Sequence, residues 1–307
     1  MDMIYTWFVT IMFPERKGII MAEFFSALNN PDIAFLRYAF LAGLLGSIAF
    51  GIIGTYVVTR RISYIAGAIA HSALGGIGAG LYLQIKAGIA WFTPLFGAVL
   101  SAVASGIIIG YVSMYARQRE DTVIGAIWAI GMATGLLFLT KTPGYVEPMS
   151  YLFGNILMIA RSDLFVICGL DAAIIILSTL FYNKFLAVAF DEEFARLRGV
   201  RTGFYYLLLL CLTALTVVLM VTVVGIVMVI ALLTLPSAVA GLFSKQLWQM
   251  MIFSSLICMV FTSLGLGFSY VYDLPTGSNI ILFAGAVYLL AIFGAKILKR
   301  RKPQRSM

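Results

Sequence analysis

Between Arg201 and Lys245 the chain carries no charged residue. A bilayer span needs about 20 consecutive apolar residues, so residues 202–244 are too long for one helix. They read as two spans joined by a tight turn near Thr222 to Gly225. Cutting the remaining apolar runs at charges and turn residues predicts about nine spans: 34–59, 62–85, 91–115, 122–140, 163–183, 203–222, 225–243, 248–270 and 279–297. The chain is 62% hydrophobic and 11% charged. Its runs are continuous rather than alternating, which excludes a lipid-facing barrel. The expected fold is an all-α polytopic membrane protein.

Three segments depart from this pattern. Residues 1–31 mix aromatic and charged side chains, and the apolar run 3–13 is too short to span; an interfacial helix is expected. The opening residues lack a basic n-region, so no removable signal peptide is expected. Residues 150–160 are apolar but short and follow Pro143-Gly144 and Glu147-Pro148, so they read as a re-entrant or packed surface helix. Residues 191–201 hold six of the 34 charged side chains (21 basic, 13 acidic). That island cannot sit in lipid. Its acidic start at Asp191, Glu192 and Glu193, its basic end and its closing Gly199 describe one short capped helix. Phe194 and Leu197 share a face of it.

Lys and Arg counts set the orientation. One set of loops, with Arg60, Arg61, the island and the tail from Lys296 to Arg305, holds fifteen. The other holds six. The first set is expected inside the cell, so the island and C-terminus are cytoplasmic and the N-terminus is outside. The net charge of +8 follows from this loop bias and calls for no nucleic acid. The expected organisation is a segment over 1–31, a transmembrane domain over 32–298 with the cytoplasmic helix at about 190–200, and a basic tail over 299–307.

Chemistry-bearing residues are few. No GxxxxGK sequence is present, and one histidine supports no Ser-His-Asp site. The chain is therefore expected to be a transport subunit rather than an enzyme. His71, the single histidine, falls inside the second span. Two roles fit: a hydrogen-bonded helix contact, or a group lining a path for divalent metal. Asp171 lies mid-span, as a second metal ligand, a proton site or a buried helix-helix contact. Gly67, Gly75 and Gly76 beside the histidine signal close helix packing, and Pro236 is read as structural. Cys168, Cys211 and Cys258 are expected as small core residues.

Together these segments resemble the membrane subunit of zinc, manganese and iron ATP-binding-cassette importers, the ABC-3 family. Arg60-Arg61-Ile62-Ser63-Tyr64 with Ala70 to Gly76 resembles its R-R-x-S-Y and S-H-A-x-L-x-G blocks. Glu120 to Gly125, Leu152 to Leu157, Phe190 to Val200, Val224 to Ala240 and Asp273 to Gly277 resemble further blocks, in family order, over about residues 32–297. The resemblance implies a homodimeric ABC-3-type permease bundle in a bacterial inner membrane. Each copy would grip a cytoplasmic ATPase, which holds ATP and Mg, and would receive a divalent metal from an external metal-binding protein. The island, with Asp191, Glu192, Glu193, Phe194, Ala195, Leu197 and Gly199, would be the coupling helix, and His71 would line the path. No cofactor would be bound by the chain itself. Family members carry an Asp four residues before the histidine, where this chain has Gly67. Manganese prefers carboxylate-rich sites, while zinc accepts histidine, so zinc is favoured. The alternative is a stand-alone secondary transporter or cation channel with Asp171 as its ion site.

Overall fold

The computed structural model describes residues 24, 26–28, 34–115, 119–144, 148–154, 159, 161–272 and 274–300. The expected interfacial segment 1–31 lies almost wholly outside them, as do residues 155–158, Asp273 and the tail beyond Arg300. From Ala34 onward the helices are α1 (Ala34–Thr59), α2 (Ser63–Ile85), α3 (Pro94–Tyr115), α4 (Glu120–Lys141), α5 (Pro148–Phe153) and α6 (Arg161–Leu180). There follow α7 (Tyr182–Phe190), α8 (Glu192–Leu197), α9 (Thr202–Val224), α10 (Ile226–Phe243), α11 (Leu247–Tyr272) and α12 (Thr276–Arg300). No strand occurs among the described residues. Nine of these helices are long and apolar enough to cross a membrane: α1–α4, α6 and α9–α12. A 22-residue helix such as α3 is about 33 Å long at 1.5 Å per residue, enough for a hydrocarbon core of about 30 Å.

Burial ranks the helices from centre to rim. In α2, 83% of the span window is buried, against 22% in α4 and 11% in α12. The reason is side-chain size. Along α2, glycines fall where its neighbours arrive: a methyl on Gly76 would overlap the backbone of Gly97 in α3, one on Gly78 would lie 2.6 Å from the Gly135 carbonyl in α4, and one on Gly80 would lie 2.7 Å from Pro94 Cα. In lipid, where hydrophobic exclusion between helices is weak, such backbone proximity supplies much of the association. A methyl on Gly75 would likewise lie 2.8 Å from Thr134 Oγ1 of α4.

A second sheaf forms where α1 packs on α11, α10 and α6, and α10 and α11 close on α12. Pro236 sits buried within α10, and the next residue, Ser237, shares a 2.7 Å hydrogen bond with Ser254 of α11. Helix α9 joins the two groups, touching α3 on one side and α1 and α10 on the other. The expected turn between the sixth and seventh spans is one residue, Gly225. It has φ 82° and ψ 160°, a region open essentially to glycine alone.

The short α5 fits the expectation of a packed, non-spanning helix. It lies against α9, α10 and α12. Its closing Gly154, at φ 75°, meets Gly225 backbone to backbone, so that a methyl on either would overlap the other. Gly225→Ala therefore meets backbone strain and a steric clash together. A loss of about 2 to 5 kcal/mol is expected, read as a lower midpoint of thermal denaturation in detergent. A midpoint equal to that of the unaltered protein would show that α5 yields freely.

One expectation fails. Cys168 is exposed on the outer face of α6, so it is not a core residue. Its helix lies at the rim, and the apolar run around it faces outward. Cys258 is buried as expected.

Candidate functional site

The face of α2 that meets α4 carries Tyr64, Gly67 and His71, at helical spacings of three and four. Trp128 of α4 lies across that face. Its ring centroid is 4.5 Å from that of His71, with 25° between the planes, and 5.5 Å from that of Tyr64. The space for the indole exists because residue 67 has no side chain: a methyl there would stand 2.5 Å from Trp128 Cζ3. Gly67 is thus a notch, and Trp128 fills it. The place where an acidic side chain was expected is occupied by an aromatic ring from the neighbouring helix.

His71 is 8% exposed, and its buried Nδ1 has no hydrogen-bond partner. That removes the expected interhelical hydrogen bond at this nitrogen and leaves a ring-on-ring contact in its place. A neutral imidazole keeps a lone pair on one of its two ring nitrogens, which is what a divalent ion needs.

Asp171 faces a different neighbour. It is 4% exposed on α6, beside the Ala49 backbone of α1, where its oxygens form no hydrogen bond of proper geometry. His71 packs on α4 and Asp171 on α1, so the structure gives no support to pairing them as ligands. No group of three or more His, Cys, Asp or Glu side chains forms a common centre among the described residues.

The charged island folds as one short helix, α8, and its two caps, directly after α7. The Asp191 carboxylate accepts the Phe194 N–H at 2.9 Å, capping the N-terminus of α8. At the other end Gly199 adopts φ 76°. Its N–H donates to the Arg196 carbonyl, and that of Val200 donates to Ala195, both at 3.0 Å. This is the paired closure that stops a helix with glycine just beyond its end. A six-residue helix is too short to persist by propagation alone, so the caps define it. Ala195 is 1% exposed and ties α8 to the bundle, while Phe194 is 50% and Leu197 87% exposed. The Arg198 guanidinium covers one face of the Phe194 ring at 4.6 Å. Two apolar side chains are thereby held out on a rigid protrusion.

That protrusion is anchored by Arg60. Its guanidinium donates to the Val188 carbonyl at the end of α7 and to Glu192 Oε2 at 2.6 Å, and it lies 4.2 Å over the Tyr206 ring of α9. Composition did not single out Arg60 beyond its loop charge. Trp128 went unremarked as well, although a tryptophan two turns inside a span, away from the interfacial belt, was a visible signal.

A match to the ABC 3 transport family covers residues 32–295. The chain belongs to the ABC 3 transport family. It is an ABC-3 membrane permease subunit for metal transport, without an ATPase motif of its own. It is 39% identical to the probable metal transport system membrane protein of Chlamydia trachomatis serovar D, over 92% of each chain. It is 32% identical to the manganese transport system membrane protein MntC of Halalkalibacterium halodurans, over 85% of this chain and 87% of that one. The structure of PsaBC from Streptococcus pneumoniae in complex with Fab superposes with a TM-score of 0.80 at 29% identity, covering 92% of this chain and 100% of that one. Within this ABC-3 permease the two features above lie in different regions: the Trp128-capped histidine inside the span, and α8 beyond the membrane-spanning segments.

Proposed function

We propose that this permease pairs with a second copy of itself in a bacterial inner membrane and carries a divalent transition metal inward, driven by a separate cytoplasmic ATPase that docks on α8. The observation that carries this reading is the geometry of α8: capped at both ends, tied down through Ala195, and presenting Phe194 and Leu197 outward. Such a helix transmits force only if it is rigid, and its two caps make it so. ATP and Mg belong to the ATPase, and a metal-binding protein outside the cell delivers the cargo. The charge of the loops supports the orientation, with α8 and the C-terminus inside. Membership in the family leaves the stand-alone carrier without a supporting observation.

For the cargo, manganese comes first because a relative of 32% identity is named for manganese. Zinc follows on a specific observation: the indole of Trp128 fills the notch at Gly67, so the residues facing His71 there are aromatic rather than acidic, and zinc accepts imidazole readily.

The test is uptake of radiolabelled Mn2+ and Zn2+ into vesicles holding the permease with its ATPase and binding protein. Uptake should require ATP. His71→Ala should lower it about tenfold or more at unchanged expression, since a lost ligand removes a favourable stop for the ion. Uptake without ATP from the permease alone would reject the reading, and unchanged uptake by His71→Ala would remove His71 from the path.

A further inference from the structure

We propose that Arg60 is the positioning residue that transmits the movement of α8 to the helix bearing His71. The inference rests on the coupling role of α8 proposed above and adds a route through the permease.

Arg60 stands at the corner between α1 and α2, only 15% exposed. Its one guanidinium engages three other elements: the Val188 carbonyl ending α7, the Glu192 carboxylate opening α8 and the Tyr206 ring in α9. The contact with Glu192 is an ion pair of 2.6 Å. Arginine suits this place because its planar fork donates to two acceptors at once while its face lies on an aromatic ring. A lysine could satisfy one of these contacts at a time.

The corner itself is stiff. Arg61 is the only non-glycine with positive φ among the described residues, at 61°. It is held there by two hydrogen bonds back into α1, Arg61 N–H to the Val58 carbonyl at 3.1 Å and Ile62 N–H to Val57 at 2.9 Å. Only Arg60, Arg61 and Ile62 separate α1 from α2. Strain of this kind persists where the surroundings over-determine the backbone. A pull on Arg60 therefore turns the start of α2 instead of being absorbed by a loose loop. One residue into α2 is Tyr64, and two turns further is His71, both in contact with Trp128.

The surrounding space permits the motion. Arg60, Ser113, Glu120, Val188, Glu192 and Tyr206 line an open polar cleft of about 340 Å³. Glu120 begins α4, the helix that carries Trp128, so both partners of the aromatic stack are rooted at this cleft. When the ATPase displaces α8, Glu192 moves, Arg60 follows, and the α2–α4 contact at His71 is altered.

The test uses the complete complex, permease with ATPase and metal-binding protein, in proteoliposomes. It reads three quantities: ATPase retained on purification, ATP hydrolysed, and Mn2+ or Zn2+ moved per ATP, whichever the unaltered complex transports. Arg60→Gln is expected to retain the ATPase and to hydrolyse ATP within about twofold of normal, while ions moved per ATP fall about tenfold, within the range of coupling between linked sites. Glu192→Gln, on α8 itself, is expected to lower the ions moved per ATP in the same direction. Arg60→Lys should recover only part of the ratio. Glu192→Gln keeps the shape of a half-exposed side chain and so tests the link even where Arg60→Gln folds poorly. An unchanged ratio in both variants overturns the inference while leaving the ATPase-driven reading intact. Loss of the ATPase in Arg60→Gln and Glu192→Gln overturns it as well, because Arg60 would then serve docking. Failure of the unaltered chain to bind any ATPase ends both.

Discussion

Leu197→Asp is expected to strip the ATPase from the permease during purification while leaving the permease in the membrane at its normal level. Leu197 is 87% exposed, so no bundle contact is lost with it, and α8 keeps both caps. A carboxylate placed in an apolar docking contact must be desolvated without a partner, which costs about 3 to 5 kcal/mol. That is a weakening of affinity by more than a hundredfold. Phe194→Asp should act in the same direction, with some added loss of local order because Arg198 rests on the ring. The measurement is the ratio of ATPase to permease after affinity purification. A normal ratio for both variants would exclude α8 as the docking element.

Gly67→Asp is the second change with a large expected effect. Installing the expected acid one turn before His71 does not simply add a ligand, because the first atom of the new side chain would stand 2.5 Å from Trp128 Cζ3. Either the indole leaves its place on His71 or α2 and α4 separate. A destabilisation of about 2 to 4 kcal/mol is expected from overpacking together with a buried carboxylate, visible as reduced yield and a lower denaturation midpoint. Adding Trp128→Ala removes the obstacle, so the double variant should recover most of the lost stability and expose an acid beside the imidazole. Its relative uptake of Mn2+ over Zn2+ should then rise, since manganese favours carboxylate ligands. If Gly67→Asp is as stable as the unaltered protein, Trp128 does not hold the notch.

These predictions differ in how far the chain alone could have led to them. The spans were legible because long apolar runs have one stable setting, a membrane, and their boundaries are cut by charges and turn residues. Gly225 was visible as the break in residues 202–244, and α8 as a charged island with an acidic start and a glycine end. Capping is local chemistry: Asp191, Phe194, Gly199 and Val200 are close in sequence, and their hydrogen bonds span only a few residues. The candidate metal-path residue His71 stood out because an ionisable group in a span is costly and rare.

What surrounds His71 was not legible. Gly67 read as a missing ligand, and only the packing of α4 on α2 shows that it is space for Trp128, 61 positions away in the chain. Asp171 looked like a possible partner for the histidine because both are polar residues in spans. The structure turns it instead toward Ala49 of α1. Arg60 stood out only as a loop charge and as the start of the R-R-x-S-Y block until α7, α8 and α9 converged on its guanidinium. The sequence by itself determined the class, the number of spans, the capped helix and the loop-charge bias, because these depend on composition and on neighbours within a few residues. The tertiary structure alone decided which side chains meet across helices, because apolar spans carry little periodic signal and their register is set by where small residues let backbones approach.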